Sequence, residues 1–220
     1  GVADEGASDH HLTTSGGVKL YVRPGTEGKY NRMAFGPNGD GSADDTAVFE
    51  TAFSAIEAVG GGVLRVPSGL YKISTALVPP ATVPFALEGD SFATSFAATG
   101  TGGSRIRQTT PGAHAVDLYR TSTTTVPLRF ENISFEGDGV ADAGIEAARV
   151  KNVTIRNCRF FNFTGNGIQA NRNCFFWRVD GVEFDTMEHA IFTQDTLITP
   201  GYTDYACLNG GTFKNRNITN

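Results

Sequence analysis

Glu136 and Asp185 are the two carboxylates of this 220-residue chain whose spacing could serve hydrolysis of a sugar bond. Each directly follows a phenylalanine in a recurring segment, "SFEG" at 134–137 and "EFDT" at 183–186. If these segments stack as parallel strands with one strand between them, the two acids share one outer face about 9.6 Å apart, from a rung spacing of about 4.8 Å. Inverting glycosidases hold their general acid and general base ~6.5–9.5 Å apart to admit a water. Asp138 and Glu188 fall in the turns that follow and complete the candidate catalytic acids. Phe161 sits in the column between Glu136 and Asp185, where a ring could stack on a sugar or obstruct it. Arg159 and His189 are the other candidates for substrate binding. Each has a plainer reading. The acids read also as solvated surface carboxylates, Arg159 as the cross-strand ion-pair partner of Glu183, and His189 as a turn histidine. Elimination would call for an Arg or Lys base with acids holding calcium. Arg129, Arg156, Arg159 and Arg178 are available, but no aspartate cluster accompanies them.

The elements that must position these residues form a repeat. "LRFENISFEG" (128–137), "VTIRNCRFFN" (153–162), "WRVDGVEFDT" (177–186) and "ACLNGGTFKN" (206–215) align at offsets of 25, 24 and 29 residues. Each reads as a strand, a polar corner and a second strand. The corners are Glu131-Asn132, Arg156-Asn157, Asp180-Gly181 and Asn209-Gly210. Phe135, Phe160, Phe184 and Phe213 then stack inward. A third short strand recurs as "GIEA" (144–147), "GIQA" (167–170) and "AIFT" (190–193). Three short strands per two dozen residues predict a solenoid, and Phe, Val and Ile replace the pattern of a leucine-rich repeat. Val153, Val179, Leu208, Ile145, Ile168 and Ile191 fill the other inward rows. Cys158 reads as a buried thiol, and Trp177, aligned with Val153, as core rather than a sugar platform. Tyr119 is the other platform candidate. Residues 75–127 are less regular, with strands in "VPFALEGDS", "SRIRQTT" and "HAVDLY" and loops at 92–104 and 120–127.

Upstream, "GDGSADDTAVFETAF" (39–53) reads as a metal or phosphate loop or as a helix start. Val48, Phe49, Ala52, Phe53, Ile56 and Val59 recur with helical spacing, which favours the helix. Asp44 or Asp45 is placed to cap it and Gly60-Gly61-Gly62 to stop it, over about 45–59. The further ligands of a calcium loop are missing. "GGVLRVPSGLYKIS" then reads as strand, turn, strand.

The run from "GDGSADDT" through the helix to "GGVLRVPSGLY", residues 36–74, resembles the opening signature of the pectate-lyase-like β-helix superfamily. The preceding "GGVKLYVRPGTEGKYNRMAFG" (16–36) resembles the segment before this motif in phage tailspike proteins. The resemblance implies an all-β right-handed parallel β-helix with an N-terminal capping α-helix. Residues 1–35 would be an arm or connector to an upstream domain, and 36–220 the β-helix. Because "FKNRNITN" carries no capping helix, the β-helix is expected to continue past residue 220. The implied function is a phage tailspike or tail-fibre component that binds cell-surface polysaccharide, with or without depolymerising it. It would be a homotrimer located in the virion and joined to an upstream virion-attachment domain or other tail proteins. A free, secreted polysaccharide lyase, glycoside hydrolase or epimerase, and a non-catalytic adhesion β-helix, are the alternatives.

Composition limits the partners. The net charge is −5 with 18 basic and 23 acidic residues, which argues against broad nucleic-acid binding. No apolar run approaches the ~18 residues of a membrane span. The N-terminal "GVADEGASDHH" has no signal-peptide pattern. Three cysteines, Cys158, Cys174 and Cys207, give neither a disulfide framework nor zinc-ligand spacing. No metal or cofactor is expected.

Overall fold

The computed structural model describes residues 12–13, 17–25, 28–36, 39–92, 102–171, 173–174, 176–193, 206–209 and 212–214, with only the backbone for 12, 192, 193, 206–209 and 212–214. The inward placement of Leu208 and Phe213 and most of the loop at 92–104 therefore lie outside the described residues.

Three parallel sheets wind into a right-handed β-helix. The first stacks Lys29–Asn31, Gly62–Val66, Phe85–Gly89, Leu128–Glu131, Val153–Arg156, Trp177–Asp180 and Ala206–Asn209. The second stacks Asp40–Asp44, Gly69–Ile73, Ser104–Gln108, Ser134–Glu136, Arg159–Phe161, Glu183–Asp185 and Thr212–Lys214. The third stacks His114–Thr124, Ala143–Val150, Asn166–Ala170 and His189–Thr193. Leu12–Thr13 pairs antiparallel with Lys19–Leu20 in a separate ribbon.

Register follows the inward side chains. Leu128 pairs with Val153, Phe135 with Phe160, Phe160 with Phe184, and Ile145 with Ile168 and then Ile191. The rings of Phe135 and Phe160 stack at 5.1 Å and 16°, those of Phe160 and Phe184 at 5.5 Å and 14°. A one-residue slip would turn this row outward, so the aromatic column pins the register. The corner between the first and second sheets is a single left-handed residue: Asn132 (φ 57°), Asn157 (φ 49°) or Gly181 (φ 61°). Only Gly and Asn take this conformation at low cost. Asn157 Nδ2 also donates to Asn132 Oδ1 at 3.3 Å. The next residue in each coil, Ile133, Cys158 or Val182, returns to the core. Burial pushes the Cys158 thiol up to about 12, so it is inert packing. Trp177 is core as well, its Nε1 donating to the Val150 carbonyl at 3.1 Å.

The helix spans Thr46–Ala58 and closes the N-terminal end with Phe49, Ala52, Phe53 and Ile56. Val59 is beyond it and exposed, so it leaves the expected apolar stripe. The two acids of "ADDT" divide their work. Asp44 Oδ1 accepts from the Thr46 N–H at 3.0 Å and from Thr46 Oγ1 at 2.6 Å. Asp45 occupies the cap position without a capping bond and pairs instead with Arg32. Both Arg32 and Asp45 are fully buried, and the guanidinium lies 4.3 Å from the Tyr71 ring centroid and 5.0 Å from that of Phe49. The motif is thus a structural latch, fixing the 3-10 turn Arg32–Phe35 to the cap.

Two boundaries differ from the sequence expectation. Lys29–Asn31 already forms a rung of the first sheet, pairing with Gly62–Val66, so the solenoid begins before residue 36. The stretch 120–127, expected as a loop, is strand through Thr124, which pairs with Val150 across a register shift. Its threonines suit a strand, and the bulge absorbs the extra length.

Candidate functional site

Two outward faces of the solenoid carry the chemically capable residues. On the second sheet, one outward column runs Arg105, Ser134, Arg159, Glu183 and the next Arg107, Glu136, Phe161, Asp185. The expected register of Glu136, Phe161 and Asp185 is therefore what the backbone adopts. The expected solvation is not: Glu136 is 6% exposed, Asp185 5%, Arg159 5% and Arg105 2%. Buried charges must be paired, and these are. Glu136 Oε2 lies 2.8 Å from Arg107 Nε and 3.4 Å from Arg105 Nε. Asp185 Oδ2 lies 3.4 Å from Arg159 Nη2, and its Oδ1 accepts from Thr186 Oγ1 at 3.1 Å. Arg159 also stands 3.8 Å from Glu183, and its guanidinium covers the buried Phe161 ring at 5.1 Å. Burial pulls Arg105 below the usual arginine range, and Glu136 opposes that shift. Asp138, at the rim and 3.8 Å from Arg107, is exposed. In this arrangement Glu136 and Asp185 are counter-ions of arginines, and neither reaches a solvent-borne sugar as it stands.

Glu188 and His189 belong elsewhere. Both are exposed, and His189 opens a strand of the third sheet. There the outward positions form two polar clusters, one around Glu146 and one around Asn166. His114 Nε2 meets Glu146 Oε2 at 2.5 Å. Asn171 Nδ2 donates to Glu146 Oε1 at 3.2 Å. Asn166 Nδ2 donates to Gln169 Oε1 at 2.9 Å, and His189 Nδ1 lies 3.1 Å from Asn166 Oδ1. Strand pairing aligns Asp117, Glu146 and Gln169 in one column and His114, Ala143, Asn166 and His189 in another. His114 and Glu146 retain 23% and 21% side-chain exposure, so the pair is held yet open to solvent.

The electrostatics of that pair favour its imidazolium–carboxylate form. The hydrogen bond to Glu146 raises the His114 pKa above its ordinary 6.5; partial burial opposes this, while the charges of Glu146, Asp142 and Asp117 add to it. The same bond holds the Glu146 carboxyl below its ordinary 4.5, against the effect of burial. Nδ1 of His114 is buried with no hydrogen-bond partner among the described residues. An imidazole beside a carboxylate, with primary amides flanking it, can move a proton and bond sugar hydroxyls. Sequence reading missed His114 and Glu146. The available signal was the "GIEA" repeat: carried back onto "HAVDLY", it sets Asp117 opposite Glu146 and His114 opposite Ala143, on the rung next to Glu146.

No family model matches the chain. Mannuronan C5-epimerase AlgE1 of Azotobacter vinelandii is 47% identical over 45 residues, 20% of this chain and 3% of that protein. Alginate lyase 7 of the same organism is 44% identical over 46 residues, 21% of this chain and 5% of that protein. Among solved structures, ORF18 of Geobacillus virus E2 superposes with a TM-score of 0.52 at 14% identity, covering 82% of this chain and 40% of that one. The A-module of mannuronan C-5 epimerase AlgE4 of A. vinelandii gives 0.54 at 18% identity, covering 75% and 50%. The chain thus spans a small part of the curated relatives it matches and at most half of these two structures. Likeness at this level of identity establishes the parallel β-helix fold.

Proposed function

We propose that this chain is a section of a β-helix protein that binds polysaccharide along the outward face of the third sheet, with His114 and Glu146 as its acid–base pair. The observation that carries the reading is the partly exposed His114–Glu146 pair set among Asn166, Gln169 and Asn171. Amides and carboxylates arrayed on a rigid sheet offer the donors and acceptors that sugar hydroxyls need. Names among the similar proteins, an alginate lyase and mannuronan epimerases, support polysaccharide as the ligand class. A similar structure from Geobacillus virus E2 supports a phage origin; the further reading, a homotrimeric tail protein on the virion that engages the cell surface, rests on the tailspike-like lead-in at 16–36. A second reading, a free lyase or epimerase, is favoured by the short segment shared at 44–47% identity with those enzymes.

One experiment separates them. The full-length protein is incubated with acidic and neutral bacterial polysaccharides, and its molar mass is taken by light scattering. A trimer that binds or depolymerises polysaccharide supports the tail protein. A monomer that releases ultraviolet-absorbing unsaturated sugars, or inverts uronates without cleavage, supports the free enzyme. Binding without turnover supports adhesion. His114→Gln and Glu146→Gln that leave binding and turnover intact would remove this face from consideration.

A further inference from the structure

The corner between the third and first sheets holds an aromatic residue that the fold does not use. Pairing of Thr154 with Arg178 sets Phe176 opposite Asn152, one rung apart. Both have left-handed backbones, with φ of 60° at Asn152 and 59° at Phe176. For asparagine that conformation is cheap, and Asn152 uses it: its Nδ2 donates to the Thr125 carbonyl at 2.8 Å. For phenylalanine it is a strained state. Burial does not offset the strain, since Phe176 is 62% exposed, and its ring has no aromatic partner among the described residues. Strain held at an exposed position points to a use outside the fold.

The corner's place indicates that use. It joins the third-sheet strand Asn166–Ala170 to the first-sheet strand Trp177–Asp180. It begins at Asn171, which donates to Glu146. Tyr119, the other strongly exposed aromatic of this region, pairs with Ala148 near the same end of the third sheet. We propose that Phe176 is an aromatic subsite, its ring face stacking on the C–H face of a pyranose in a polysaccharide that crosses this corner. The inference rests on the reading of the third-sheet face given under Proposed function. It adds a residue on which that reading does not depend.

The test compares the full-length wild type with Phe176→Asn and Phe176→Tyr. Thermal unfolding is measured together with capture on an array of acidic and neutral bacterial oligosaccharides. Phe176→Asn is expected to unfold about 2–4 °C higher, because the strain is relieved. Its capture of the sugars bound by the wild type is expected to fall at least about fivefold. Phe176→Tyr keeps the ring and should keep capture within about twofold of wild type. An Asn variant no more stable than wild type overturns the strain premise. An Asn variant that captures sugar normally overturns the subsite, and if it also loses molar mass, Phe176 is a contact between copies. A wild type that captures no sugar overturns the parent reading, and this is seen before any substitution is compared.

Discussion

The outward faces of the second and third sheets are built on the same rungs and bear similar residue types, yet they do opposite things. On the second, Arg105, Glu136, Arg159 and Asp185 are buried and spend their charges on one another. On the third, His114, Glu146, Asn166 and Gln169 are tied in pairs but keep solvent contact. Buried ion pairs hold a structure in one arrangement and are costly to break. A partly exposed pair costs less to open and can exchange a proton or accept a ligand. Carboxylates at catalytic spacing are therefore not a site unless a substrate can reach them.

The largest effect that can break this comparison is on stability. Arg159→Met leaves Asp185 buried beside no guanidinium and is expected to cost about 3–5 kcal/mol. Denaturant unfolding measures it, and a cost below about 1 kcal/mol would mean that the second face is not held by its ion pairs. Next is activity. Glu146→Gln should lower polysaccharide turnover by about 100-fold, or abolish binding, while unfolding shifts by only ~1 kcal/mol. For second-sheet variants, activity should instead fall only as far as the folded fraction does.

A smaller effect is the pH dependence of the His114–Glu146 pair. The folded pKa of His114 lies above its ordinary 6.5, so its contribution is complete below 6.5 and is lost as pH rises through the folded value. The folded pKa of Glu146 lies below its ordinary 4.5, so its contribution is present above 4.5 and is lost as pH falls through the folded value. The stability gap between wild type and His114→Gln should thus be widest between pH 4.5 and 6.5, at about 1 kcal/mol, and close on either side. A gap that is flat from pH 4 to 9, measured by unfolding across that range, would show that the pair is not coupled to protons. The smallest effect sharpens the border of the buried cluster. Asp138→Asn, on the exposed rim 3.8 Å from Arg107, should change stability by less than ~0.5 kcal/mol in the same assay.

Much of the fold was legible because it rests on local, periodic rules. The Phe135, Phe160 and Phe184 column, the Asn132, Asn157 and Gly181 corners and the Ile145, Ile168 and Ile191 row each recur at a readable offset. Strand alternation then assigns inside and outside. The helix Thr46–Ala58 was legible for the same reason, from its apolar spacing and the glycines after it. The division of labour between Asp44 and Asp45 was not, because Asp45 answers to Arg32, thirteen positions upstream on another element.

The sequence by itself determined which residues share a column: Glu136, Phe161 and Asp185 on one face, Ile145, Ile168 and Ile191 inside. Only the tertiary structure decided which outward columns are open. Periodicity of two reports direction relative to the sheet, whereas exposure depends on what packs over the sheet and on charges brought together from other rungs. That is why Glu136 and Asp185, chosen from the sequence for their spacing, are counter-ions to Arg105, Arg107 and Arg159. It is also why the accessible pair, His114 and Glu146, emerged only when two strands offset by 29 residues were set side by side.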